Sequence, residues 1–126
     1  MTAFGIFTFA TDYSVGPARL AREVEDRGFE SLVLPEHSHI PASRKTPYPG
    51  GGDLPREYSH THDLFVALTA AAAATRTLRL ASGICLITEH HPVRLAKAIA
   101  SLDQLSEGRV ILGVGVGWNV EEMENH

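Results

Sequence analysis

Short, nearly continuous apolar runs alternate along this chain with longer stretches whose apolar residues recur at helical spacing. The runs are Phe4 to Phe9, Ser31 to Leu34, Leu78 to Leu86 and Val110 to Gly117. None alternates polar with apolar residues, so each reads as a strand covered on both faces. Strands of that kind separated by helical stretches predict βα units and a parallel sheet.

The stretches between the runs carry helix punctuation. The first predicted helix is framed by Ser14 and Pro17 at its start and Gly28 at its end, with Leu20, Ala21 and Val24 as its apolar stripe. The second begins near Asp63, a good N-cap, and continues through Leu64, Ala67, Leu68, Ala71 and Ala72 to about Thr75-Arg76-Thr77. The third has Pro92 at its first position, places Leu95, Ala96, Ile99, Leu102 and Leu105 at helical spacing, and stops at Gly108.

One segment breaks this economy. Ile40 to Thr61 holds Pro41, Pro47, Pro49, Pro55 and the run Gly50-Gly51-Gly52. Loops beyond about 12 to 15 residues are usually functional lids or disordered connections. Following the second strand, residues 40–61 emerge at the C-terminal edge of the sheet, where α/β proteins place ligand sites. Both a lid and a flexible insertion are open readings.

Composition narrows the function classes. With 126 residues, 44% of them hydrophobic, the chain is long enough for one domain with a core. Its 11 Lys and Arg are scattered and outnumbered by 15 Asp and Glu, which argues against nucleic acid and for a small-molecule partner. Cys85, the single cysteine, lies inside an apolar run and reads as a small buried side chain in a reducing compartment. No run approaches the roughly 18 apolar residues of a membrane span, and no basic segment precedes the first apolar stretch. The expectation is a cytoplasmic protein with no membrane partner.

Three motifs carry candidate chemistry. Leu34-Pro35-Glu36-His37 ends the second strand and sets a carboxylate and an imidazole at the mouth of the sheet, either for proton transfer or simply to fasten the loop. Ser82-Gly83-Ile84-Cys85 interrupts the third strand with a glycine, which marks a kink, a bulge or a close approach. Gly113, Gly115 and Gly117 alternate along the fourth strand, so they share a face that admits a flat ring or permits tight packing. A dinucleotide fingerprint is disfavoured because Trp118 stands where its third glycine belongs. The pairs His37/His39, His60/His62 and His90/His91 lack the spacing of a helix-borne zinc pair, and no metal site is assigned. Arg44, Lys45 and Arg56 read as solvated loop charges.

Taken in order, Pro35-Glu36-His37, Leu78-Arg-Leu-Ala-Ser-Gly-Ile84, the helix from His91 to Arg109 and Val110 to Trp118 resemble the luciferase-like monooxygenase superfamily. Within it they most resemble the branch that uses the deazaflavin coenzyme F420. The resemblance covers essentially the whole chain, and the run from His91 to Trp118 is its most specific piece. It implies a (β/α)8 barrel, which typically needs about 250 residues. Residues 1–126 would then form a single partial domain, the N-terminal half of a TIM barrel with strands one to four.

The resemblance further implies an F420-dependent oxidoreductase that moves a hydride between the deazaflavin and an organic substrate. Glu36 and His37 would lie at the reactive ring, with His37 as proton donor or acceptor. Gly83, Ile84 and Cys85 would back the ring through a non-proline cis peptide at Gly83-Ile84, and Gly117 and Trp118 would flank it. Many F420 users carry Asp where Glu36 stands. Relatives that bind flavin mononucleotide (FMN) are monooxygenases, which leaves an FMN-dependent enzyme as the alternative. A different class of reading is a non-catalytic half-barrel module that associates with a partner, a second copy included, to cover its open edges.

Overall fold

A computed structural model of the chain describes residues 2–126. Four strands, β1 (Gly5–Phe7), β2 (Ser31–Leu34), β3 (Arg79–Leu86) and β4 (Val110–Gly115), form one parallel sheet in the order β1-β2-β3-β4. The crossovers carry α1 (Pro17–Asp26), α2 (Leu64–Ala74) and α3 (Pro92–Leu105), and α4 (Val120–Glu124) follows β4. Successive strands are always neighbours, and parallel crossovers are right-handed, so the three crossover helices fall on one face of the sheet. That is barrel order, without the reversal of direction that defines a doubly wound sheet.

The core lies between the helices and the outer face of the sheet. Leu32, Leu34 and Leu80 project from the strands against Ala21 and Val24 of α1 and Leu64, Ala67, Leu68 and Ala71 of α2. Small side chains on α2 let it sit close to the sheet. Asp63 caps it by accepting the Val66 N–H at 2.9 Å. Arg109 fastens the lower loops, donating to the carbonyl oxygens of Ala72, Thr75, Leu78 and Ser106 and to the Thr75 hydroxyl.

The structure corrects several sequence expectations. Gly16 rather than Ser14 caps α1, and the Ser14 hydroxyl instead bonds the Thr11 backbone. Gly28 follows that helix at φ 77°, a conformation that favours glycine. The fourth strand is not fully buried, and Val114 is 51% exposed, because β4 is an edge of an open sheet. Leu105 of α3 is 73% exposed, because it ends that helix on the outer surface beside Ala73 of α2. The fourth strand also ends at Gly115, so Gly117, at φ 86°, lies beyond it and does not share its face. A Cβ on Gly113 would stand 2.5 Å from the Ser82 carbonyl oxygen, and one on Gly115 would collide with the Ile84 side chain. These two glycines therefore serve close packing and leave no open face.

Residues 40–61 are not structureless. Arg56–Ser59 form a turn of 3₁₀ helix, and Thr11 pairs with Thr61 in an isolated antiparallel bridge.

Candidate active site

The C-terminal ends of all four strands open into a cleft of about 390 Å³. Phe7 and Phe9 come from β1 and its sequel, Pro35, Glu36 and His37 follow β2, Gly83, Ile84 and Leu86 belong to β3, and Val116, Gly117 and Trp118 follow β4. Tyr58 joins them from the long loop. The walls are mostly apolar, and Glu36 and His37 are the titratable polar groups among them besides Tyr58.

The glycine in β3 marks a real irregularity. Its register with β4 shifts between Ser82 and Cys85, and the Gly83-Ile84 peptide is cis, as the family resemblance implies. A Cβ on Gly83 would lie 2.5 Å from Val33 Cγ1, so a side chain there would force Val33 or the strand to shift. Ile84 lines the cleft, while Cys85 is buried completely. Six of the seven residues expected around a cofactor, Glu36, His37, Gly83, Ile84, Gly117 and Trp118, line this cleft, and Cys85 does not.

His37 is held by a carboxylate. Its Nδ1 lies 2.8 Å from Oε2 of Glu122 on α4, and the two side chains are 6% and 2% exposed. Burial acts to raise the Glu122 carboxyl, but the hydrogen bond and charge of His37 outweigh it and hold the group below its ordinary range. An ionised Glu122 can only accept, so Nδ1 carries the hydrogen. Nε2 has no protein partner among the described residues. It is the nitrogen left for a ligand in the cleft. Tyr58 and Trp118 lie 5.0 Å and 6.0 Å from the His37 ring, centroid to centroid, and fix its tilt.

Glu36 is engaged at both oxygens. Oε2 accepts the Leu86 N–H at 2.6 Å, and Oε1 lies 2.9 Å from His90 Nε2. Its carboxyl thus fastens β2 to β3 and to the turn after β3, combining the fastening and mouth-lining roles that its position allowed. Glu36, Cys85 and His90 bring ligand-type atoms within 4.8 Å of one another. Burial and the neighbouring Glu36 push the Cys85 thiol up to about 12, which keeps it protonated. With Glu36 already bonded on both sides, this trio is a hydrogen-bonded pair beside a neutral thiol.

The loop of residues 40–61 is pinned over the mouth. Tyr48 stacks edge-on with Tyr58 and Trp118 at 5.4 Å and 6.0 Å, and the Arg44 guanidinium sits 5.7 Å from the Trp118 ring. Glu121 of α4 accepts the backbone N–H of Lys45 at 2.9 Å and of Thr46 at 3.2 Å. The Thr46 side chain first, and then the Lys45 N–H, pull the Glu121 carboxyl down to about 2. Arg56 lies over the Tyr13 ring at 4.2 Å. Sequence reasoning assigned nothing to Glu121 or Glu122. The available signal was a pair of acids in the first turn of a helix directly after the glycine-rich strand, and that is also ordinary helix chemistry.

Residues 4–126 match the family described as luciferase-like monooxygenase. The chain belongs to this family. An uncharacterized protein of Mycobacterium tuberculosis is 46% identical over 126 residues, covering 98% of this chain and 45% of that protein. An F420-dependent hydroxymycolic acid dehydrogenase of the same organism is 37% identical over 117 residues, covering 90% of this chain and 28% of the relative. Among solved structures, the monooxygenase RslO1 from Streptomyces bottropensis superimposes with a TM-score of 0.75 at 30% identity, over 98% of this chain and 36% of that one. The chain thus spans less than half the length of each of these luciferase-like relatives. Its open four-stranded sheet corresponds to the N-terminal half of a TIM barrel. Members of the family are oxidoreductases or monooxygenases. Among the described residues, no helix is long and apolar enough to cross a membrane.

Proposed function

We propose that this chain forms the ring-facing part of the active site of an F420-dependent oxidoreductase, in which a hydride passes between the deazaflavin and a small organic substrate. The observation that carries the reading is His37, anchored through Nδ1 on Glu122 with Nε2 free at the cleft. Such an imidazole is suited to give or take the proton that accompanies hydride transfer near neutral pH. The 37% identity to an F420-dependent dehydrogenase supports the choice of cofactor.

The residues present fit a flat ring. Ile84 and the backbone of Gly83 would lie behind it, Phe7, Leu86 and Val116 would contact its faces and edges, and Gly117 and Trp118 would flank it. The cleft volume of about 390 Å³ lies within the roughly 300 to 1,000 Å³ usual for ligand pockets. Deazaflavin supplies two-electron hydride chemistry when bound. His37 holds the exchanging proton at Nε2, Glu122 sets the ring's orientation, and the loop carrying Tyr48 and Tyr58 excludes water from the mouth. Residues 1–126 act as one partial domain in this reading, located in the cytoplasm.

An FMN-dependent monooxygenase is the second reading, supported by the 30% identity to a solved monooxygenase. A non-catalytic module that associates with a partner, or with its own copy, is the third, supported by Phe7, which is 57% exposed on the inner face of the sheet. Equilibrium titration with F420 and with FMN, followed by fluorescence and size-exclusion chromatography, separates the three. F420 is expected to bind at least tenfold tighter than FMN. Exclusive affinity for FMN would replace the first reading by the second, and association without affinity for either cofactor would favour the third.

A further inference from the structure

Behind His37 lies a second carboxyl group that hydride chemistry at the ring leaves unused. Glu89, in the turn after β3, has a side chain only 2% exposed. Its Oε2 accepts the Ser38 N–H at 3.3 Å, and Oε1 of Glu122 accepts the same N–H at 3.1 Å. One amide hydrogen thus serves two carboxyl groups, which brings them side by side. The remaining oxygen of Glu89, Oε1, is buried with no hydrogen-bond partner. A buried carboxylate with an oxygen that no donor reaches is costly, and a proton shared between Oε2 of Glu89 and Oε1 of Glu122 lowers that cost by removing one charge.

The surroundings favour placing that proton on Glu89. Burial, opposed by the Ser38 bond but reinforced by the charges of Glu122 and Glu36, pushes the Glu89 carboxyl up to about 7. Glu122, supported by His37, is held down. The titratable groups facing the pair are Glu36 and His37 after β2, Cys85 on β3, His39 beside Ser38 and His126 after α4. His126 Nε2 lies 3.8 Å from Glu89 Oε2 and 2.9 Å from the Ser38 hydroxyl, and its side chain is 26% exposed. It marks the solvent side of the cluster.

We propose that Glu89 is a proton-exchanging partner of His37, acting through Glu122: when His37 gains a proton at Nε2, Glu89 releases one to solvent beside His126. The proton count closes. Neutral His37, ionised Glu122 and protonated Glu89 carry one negative charge together, and so do protonated His37 and two carboxylates. The site can therefore take a proton from the cleft without changing its net charge. Glu122 is a positioning residue in this scheme, and Glu89 compensates charge without touching the ligand. The proposal rests on the reading of His37 as the proton-handling group of the cleft.

The test is a pH titration of the side-chain carboxyl carbons by NMR on protein with ¹³C-labelled glutamate, without cofactor, for wild type, His37→Gln and Glu89→Gln. Glu89 is expected to ionise more than 2 pH units above an exposed glutamate, and His37→Gln should move that step up by about 1 unit. Glu89→Gln, which keeps a donor toward Glu122, should abolish the neutral step and leave the Glu122 signal ionised throughout. In turnover with F420, the same variant should lose one limb of the pH profile near neutrality while retaining cofactor affinity. A Glu89 that ionises like a surface glutamate, or one insensitive to His37→Gln, overturns the proposal. The titration needs no cofactor. A coupled step in a protein that binds no deazaflavin would count against the proposed function alone, and F420 turnover beside an ordinary Glu89 would count against the carboxyl pair alone.

Discussion

At the scale of single residues, the acids of this chain act by collecting backbone N–H groups. Glu25 on α1 accepts the amides of Arg76, Thr77 and Leu78 at 2.9, 2.6 and 2.8 Å, where the chain enters β3. Burial acts against the charge, yet the Thr77, Leu78 and Arg76 amides and the Thr77 hydroxyl bring the carboxyl from its ordinary 4.5 down to about 2. A lowered carboxyl contributes stability above its unfolded value and loses it as pH falls through the folded one. The contribution of Glu25 is therefore complete above about pH 4.5 and gone by about pH 2. Glu25→Gln should cost about 1 kcal/mol at pH 7, because solvent screens the site, and nothing at pH 2, measured by urea unfolding at both values. None of this was legible in the sequence. Glu25 reads as an exposed helix acid, and its partners lie fifty residues away. By contrast, Glu36 and His37 were legible because a carboxylate and an imidazole directly after a parallel strand can only emerge at its C-terminal end.

At the scale of elements, the presence and order of the helices follow local chemistry and were readable, whereas the cap of α1 and side-chain burial at the sheet edge were not. Asp63 caps α2 as its residue type requires, and Asp63→Ala should destabilise the fold by about 1 kcal/mol in the same unfolding measurement. Exposure of β4 depends on what lies beside the fourth strand, which no local pattern encodes. The long loop was recognised by its prolines and glycines, but its attachment to α4 through Glu121 was not. Since Glu121 titrates near 2 instead of its ordinary 4.5, the attachment is complete above about pH 4.5 and is lost as pH falls toward 2. Amide hydrogen exchange at Lys45 and Thr46 should accelerate at least tenfold in Glu121→Ala at pH 7. Unchanged protection there would show that the aromatic contacts of Tyr48 hold the loop alone.

At the scale of the whole molecule, sequential strand order puts four loops at one end of the sheet. The cleft exists because each contributes a different part: an aromatic wall from β1, the acid and imidazole from β2, Gly83 with Ile84 and Leu86 from β3, and the tryptophan and helix α4 from β4. Fold and cleft position were legible because alternating strands and helices admit few topologies. The Glu122 anchor of His37 was not, since it joins residues 85 positions apart. Proton handling by His37 at a deazaflavin ring is the central claim, and the most direct measurement is F420-dependent hydride transfer by wild type and His37→Gln at saturating cofactor. The rate should fall by about 10² to 10⁴ while the dissociation constant for F420 changes by less than about threefold. A variant that transfers hydride as fast as wild type would contradict the account.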